Sequence, residues 1–259
     1  MRFSILINCH NQANYIDECI LSSLSQDYKN FEVIVIDSSD IKLNLEKFKS
    51  HENFKYFHIE RFSKYPEVNQ MYKIELGFKK ASGDYICLLD GDDKFSDKKL
   101  KKLNEYIKSN DIIFNQDIPF LVYKNGKKIN FEIKGYKQNN IFRKLIIDWP
   151  QIYGTSSITI KKNILESFFN KSDPYKWKYL AIDVQLILFC SINFEICNQL
   201  DEITFKRKHD RNLGDTYLNI FSSIFWKRRK CQHDFYYFLK KKRVYNLDYF
   251  ITYVINIFL

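Results

Sequence analysis

Three aspartates fall within four residues, Asp90-Gly91-Asp92-Asp93, directly after the apolar run Tyr85-Ile86-Cys87-Leu88-Leu89. Like charges this close repel one another, so a fold that gathers them at a strand end needs a counter-charge. The usual one is a divalent cation carrying a phosphorylated substrate. Mg²⁺ and Mn²⁺ bind a few protein carboxylates and complete their shell with phosphate oxygens and water. Asp-Gly after an apolar run is also a hairpin signal. Against a hairpin, Ser96-Asp97 reads as a helix start, Leu100, Leu103 and Ile107 follow at helical spacing, and no partner strand is predicted after the turn.

The elements that would position these acids alternate through the first 115 residues. Strands are predicted over 3–7, 31–36, 54–59, 85–89 and 111–115. Helices are predicted over 14–26, 43–49, 68–81 and 97–108. A β-α-β-α order implies a Rossmann-like, doubly wound, mostly parallel sheet with ligands at the carboxyl ends of its strands. Three polar clusters fall at those ends: Asn8-Cys9-His10-Asn11, Asp37-Ser38-Ser39-Asp40 and Asp90-Gly91-Asp92-Asp93. Beyond Phe120 the pattern changes. Phe120–Tyr123 and Ile129–Ile133 flank an Asn-Gly hairpin signal, 154–160 reads as a strand, and 180–191 reads as an apolar helix with one acid, Asp183. The chain past Asn212 reads as helical and basic.

With 259 residues, 45% of them apolar and 17% aromatic, the chain can bury a core and is not disordered. Its net charge of +10 is uneven, since residues 206–259 hold 12 Lys/Arg against 4 Asp/Glu. A basic segment rich in Phe, Tyr and Trp suits an anionic lipid surface or nucleic acid, and it equally suits helices that pack aromatics inward with lysines outward. The six cysteines show no metal-ligand spacing and read as buried free thiols in a reducing compartment. Neither a signal peptide nor a spanning helix is expected.

The segments Phe3–Asn11, Tyr15-Ile16, Ser22–Tyr28 and Phe31–Asp37 resemble the opening of family 2 glycosyltransferases. Gly77–Ile86 followed by Leu89–Asp93 resembles that family's approach to its D-x-D motif. The resemblance is specific over about residues 1–110 and looser to about 210. It implies a GT-A fold and inverting transfer of a sugar from a nucleotide-sugar donor, usually UDP-linked, assisted by Mn²⁺ or Mg²⁺. Asp37 matches the position that recognises uracil, and Asn8-Cys9 the loop that lines the base. Asp90 matches the acid near ribose and diphosphate, Asp92 the metal-binding acid, and Asp93 is a second candidate ligand. Asp183 matches the catalytic base. Arg207-Lys208-His209 resembles a late motif in which Arg207 touches the diphosphate and His209 the metal.

Departures accompany the match. Asn8 stands where Pro is usual, Ser38-Ser39 where Asp-Gly is usual, and Ile182 where Glu precedes the base. Lys73-Ile74-Glu75 replaces Ala-Arg-Asn, which removes a donor-binding arginine and leaves Lys73 as the stand-in. Each assignment has a plainer alternative: Asp37 as a turn cap, Asp183 as a salt-bridged acid on an apolar helix, and His209 as part of a solvated basic stretch. The expected organisation is a catalytic domain over 1–210, with a nucleotide-sugar half at 1–115 and an acceptor half at 116–210. A basic, aromatic helical extension follows over 211–259. The expected acceptor is a bacterial surface glycan such as lipooligosaccharide or capsule, or a lipid-linked saccharide. The expected location is the cytoplasm, peripheral to the inner face of its membrane. A non-catalytic nucleotide-sugar binder, a nucleotidyltransferase-like enzyme and a nucleic-acid binder using the basic tail are the rivals. The second lacks a Gly-rich phosphate loop, and the third leaves Asp90–Asp93 unexplained, so no nucleic-acid partner is expected.

Overall fold

The computed structural model describes residues 1–123, 127–130, 150–201, 203–209, 212 and 219–259. Strands β1 (Phe3–Cys9), β2 (Phe31–Asp37) and β4 (Tyr85–Asp90) form the centre, with β3 (Phe54–His58) outside β2. β1 and β2 are buried along their whole length, as parallel strands covered on both faces must be. Successive residues point to opposite faces, so the sheet divides its apolar residues between two cores. Phe3, Ile5, Ile7, Val33 and Val35 pack on one side with helices α1 (Ile16–Leu24) and α3 (Lys99–Asn110). Leu6, Ile34, Ile36, Ile86 and Leu88 pack on the other with α2 (Pro66–Lys80) and three later helices: α4 (Lys162–Lys171), α5 (Ile182–Asn193) and α6 (Ser223–Lys240).

The seven-stranded sheet runs β10-β6-β9-β4-β1-β2-β3, with β6 at Phe114–Asp117, β9 at Ile158–Lys161 and β10 at Ile196–Gln199. It is parallel except for β9, which lies antiparallel between β4 and β6. A second sheet, β5-β11-β7-β8, joins β5 (Lys94–Phe95), β11 (Thr204–Lys208), β7 (Phe120–Tyr123) and β8 (Lys128–Asn130). Its β5 corrects one expectation. A strand does follow the carboxylates, but it pairs with β11 rather than folding back on β4. Asp90–Asp93 is therefore a crossing between two sheets, not a hairpin.

Other boundaries shift for local reasons. The predicted helix over 43–49 is a single 3₁₀ turn, Glu46–Phe48. The strand expected from Asp111 begins at Phe114, because Asp111 caps α3 in the left-handed conformation. Residues Thr155–Ser157 are a helical turn rather than strand, entered through Gly154 at φ +100°, where a Cβ would collide with Lys206 Nζ. The β7–β8 pairing is antiparallel as expected. Its turn residues 124–126 and the continuation of the second strand past Asn130 lie outside the described residues.

The C-terminal extension is a helical pair, α6 and α7 (Leu247–Ile257). Helix α6 starts at Ser222, whose hydroxyl accepts from Ile224 N at 3.3 Å. It buries Phe235 and Tyr236 in the sheet's core, with Phe235 5.1 Å from the ring of Trp177. All six cysteines are free, four of them buried. No helix among the described residues is long and apolar enough to cross a membrane.

Candidate functional site

The parallel register brings the three polar strand ends together. Asn8 lies opposite Asp90, and Cys9 opposite Asp37. The Asn8 amide donates to Asp90 Oδ1 at 2.7 Å and to the Leu89 carbonyl at 3.3 Å, so Asn8 orients an acid. Cys9 contributes backbone only. Its thiol is buried in the core, and burial together with the nearby Asp37 charge pushes its pKa up to about 12. Lys73 also differs from a solvent-facing donor cation. Its ammonium is buried and donates to the Cys9 carbonyl at 2.8 Å, and burial lowers its pKa to about 8.

Asp37 is withdrawn from solvent at the end of β2. Its Oδ1 accepts from Ser39 N and Ser39 Oγ, at 2.8 and 2.5 Å, and its Oδ2 accepts from Tyr56 at 2.9 Å. Ser38 receives Asn69 Nδ2 at 2.9 Å, and the Ser38 carbonyl lies 2.7 Å from His10 Nδ1. Asn11 bridges the first and second loops through Asp40 and Ser39. The two loops therefore form one hydrogen-bonded rim.

The third loop is wired differently. Ser156 accepts from Asp90 N at 3.0 Å and donates to Asp93 Oδ2 at 2.6 Å. Asp93 Oδ1 accepts from Arg207 N at 2.8 Å. Asp93 thus anchors the end of β4 to β11 through Oδ1 and to the turn before β9 through Oδ2. Asp92 Oδ2 lies 2.9 Å from His209 Nε2. The His209 ring stacks on Tyr15 with centroids 4.9 Å apart, and the Arg207 guanidinium lies 5.0 Å over the same Tyr15 ring. Arg207 Nε donates to the Asp92 carbonyl at 3.0 Å, and its Nη2 pairs with Glu18.

Burial, and next the charge of Asp92, push the carboxyls of Asp90 and Asp93 above the usual carboxylate range, while Lys206 opposes the rise. Among the described residues no three His, Cys, Asp or Glu side chains surround a common point. The donor set that fits a divalent cation is one carboxylate, Asp92, and one imidazole, His209, leaving the remaining positions to diphosphate oxygens and water.

Asp183 sits half-buried in the first turn of α5 and accepts from Val184 N at 2.8 Å, while the adjacent Ile182 is fully buried in the core. Gln70 connects this helix start to the donor side. Its amide donates to Asp90 Oδ1 at 3.0 Å and to Thr155 Oγ1 at 3.2 Å, and its Oε1 accepts from Ile182 N at 3.5 Å. Arg228 of α6 lies within electrostatic reach of Asp183 and of the buried Glu67. Gln70, Ser156, Lys206 and Arg228 were not foreseen. They carry no motif, and they reach the site from α2, from the turn before β9, from β11 and from α6.

Beneath the acids, Lys99 forms a fully buried ion pair with Asp117 at 2.6 Å and donates to Thr204 Oγ1 at 2.6 Å. Lys99 also reaches the Ser156 carbonyl at 3.5 Å, which ties α3 and β6 to the turn holding Asp90 and Asp93.

Known proteins are similar to this chain in sequence and in fold. An uncharacterized glycosyltransferase of Rickettsia bellii is 30% identical over 183 residues, which is 68% of this chain and 26% of that protein. The chain thus spans only about a quarter of that relative's length. The crystal structure of Staphylococcus aureus TarS residues 1–349 with UDP superposes with a TM-score of 0.64 at 17% identity, covering 91% of this chain and 65% of that one. The mannosyltransferase PcManGT of Pyrobaculum calidifontis, in complex with GDP-Man and Mn²⁺, superposes with a TM-score of 0.57 at 11% identity, covering 96% and 66%. At those identities the two structures show a shared fold, the GT-A fold. Residues 4–169 match the family described as Glycosyl transferase family 2, and the chain is a member of that family.

Proposed function

We propose that the chain is a metal-dependent, inverting glycosyltransferase. Its donor is a UDP-sugar, and its acceptor is a hydroxyl of a surface glycan or a lipid-linked saccharide. The observation that carries this reading is the pairing of Asp92 with His209 at the end of β4, one Gln70 bridge away from the helix start that holds Asp183. Relatives with UDP or with GDP-Man and Mn²⁺ bound support the donor class and the cation in general terms. TarS of S. aureus is named for transfer of N-acetylglucosamine to poly(ribitol-phosphate), which supports a polymeric surface acceptor.

In this mechanism Asp92 and His209 would hold the cation, which would supply electrostatic stabilisation for the departing diphosphate. Arg207 and Lys206 add positive charge on the same side. Asp183 takes the proton of the acceptor hydroxyl as its oxygen attacks the anomeric carbon from the face opposite the leaving group. The first two loops, with Asp37 behind them, cradle the nucleoside. The nucleotide-sugar half is residues 1–115 and the acceptor half is 116–210.

Calorimetric titration of UDP, GDP and CDP, with and without Mn²⁺, tests the proposal. UDP binding that requires Mn²⁺ and disappears in Asp92→Ala is the expected result. Mn²⁺-independent binding would remove the metal, preference for GDP would remove the uridine donor, and binding without sugar transfer would leave a nucleotide-sugar binder.

A further inference from the structure

A surface helix ordinarily turns its apolar face inward. Helix α7 does the reverse. Its inner face is polar: Asp248 accepts from Arg229 Nε at 2.8 Å and lies 2.8 Å from His233 Nε2, Tyr253 pairs with Asp234, and Asn256 donates to the Trp226 carbonyl at 3.0 Å. Thr252, between them, is fully buried. Its outer face is apolar. Leu247, Phe250, Ile251, Val254, Ile257 and Phe258 are all exposed, Phe250 by 56% and Ile257 by 76%. Their spacing of three and four residues draws one continuous stripe. Ile220 and Phe221, exposed ahead of α6, lie at the end of the pair where Trp226 meets Asn256, so they extend the stripe beyond Ile257.

The helical pair as a whole is positive, although Arg228 and Arg229 turn inward, toward Asp183 and Asp248. Residues 219–259 carry eight Lys/Arg and two Asp. Both acids are engaged within the helical pair, Asp234 by Lys230 and Tyr253, and Asp248 by Arg229 and His233. Lys241 and Lys242 project from the connection just before α7. A second copy of the chain would bring two positive faces together at a two-fold contact, which repulsion disfavours. An anionic bilayer meets both features at once. The stripe enters the boundary between headgroups and acyl chains, and the cations meet the headgroups.

We infer that the α6–α7 pair is a membrane-docking element, with α7 lying in the interface of an anionic bilayer. Being fixed to the core through Phe235, Tyr236 and Trp177, the pair sets the orientation of the whole catalytic sheet on that surface. The helix is eleven residues long, so it lies on the bilayer and does not span it.

Flotation of the full chain with vesicles of phosphatidylcholine containing 30% phosphatidylglycerol (a chosen composition, about that of an anionic leaflet) tests the inference. Binding is expected to fall at least about tenfold in Phe250→Ser/Val254→Ser/Ile257→Ser. A fall of similar size is expected in Lys241→Glu/Lys242→Glu, in neutral vesicles and at high salt, at roughly fivefold for each charge removed. Thermal melting checks that both variants fold. Absence of vesicle binding by the wild type, or binding that neither variant weakens, would overturn the inference. So would a dimer in sedimentation that the triple variant abolishes while vesicles are ignored, which would assign the stripe to a second copy.

Discussion

The two ends of the central sheet treat buried carboxylates in opposite ways. At the amino-terminal end Glu32 is buried, which alone would raise its pKa. It instead accepts from Lys55 Nζ at 2.7 Å, Ser82 N at 2.6 Å, Ser82 Oγ at 2.7 Å and Ser4 Oγ at 2.8 Å, and these donors bring its pKa down to about 2. At the carboxyl-terminal end Asp90 and Asp93 are buried beside Asp92, and their pKa values go up. One carboxylate with four donors stabilises the fold. At the other end, burial and the neighbouring Asp92 charge outweigh the lowering effect of Lys206. One end surrounds its buried acid with donors, and the other crowds its acids together.

The largest effect that would break this contrast is at Asp92. Asp92→Ala is expected to lower sugar transfer by about a thousandfold while moving the urea-unfolding free energy by less than about 1 kcal/mol. A variant that unfolds would mean the cluster is structural. Asp183→Asn comes next, with kcat down about a hundredfold or more and UDP affinity by calorimetry unchanged. Loss of affinity would move Asp183 from the acceptor side to the donor side.

Glu32→Gln reverses the pattern. It is expected to cost about 2 kcal/mol in urea unfolding at neutral pH, with transfer activity at low temperature intact. The sign of its pH dependence follows from a folded pKa below the unfolded one. The contribution is complete above about pH 4.5 and is lost as the pH falls toward about 2, so the gap between wild type and variant should close over that window. A gap that persists at low pH would place the loss in packing rather than charge. Tyr56→Phe is the smallest change, removing one donor from Asp37 for about 1 kcal/mol in the same assay.

Much of the upper end was legible before folding. The apolar runs of β1, β2 and β4 end in polar clusters because a parallel strand leaves the core there, and the run of residues records that locally. Less legible was what each polar residue does. Asn8 orients Asp90 instead of facing a base, Lys73 holds a backbone carbonyl from below, and Asp93 anchors β11. Those roles depend on partners 64 to 114 residues away, which no spacing rule encodes.

The sequence alone determined the alternation of β1 to β4 and β6 with α1, α2 and α3, the meeting of three loops at one sheet end, and the excess of acid there. Periodicity and strand-end chemistry are properties of adjacent residues. Tertiary structure alone decided that β9 runs antiparallel between β4 and β6, which delivers Ser156 to Asp90 and Asp93. It also decided which face of α7 meets the protein. The apolar and polar stripes of that helix are equally clear in the sequence. The choice between them was made by Arg229, His233 and Trp226 on a neighbouring helix, whose polar groups required the polar stripe and left the apolar one outside.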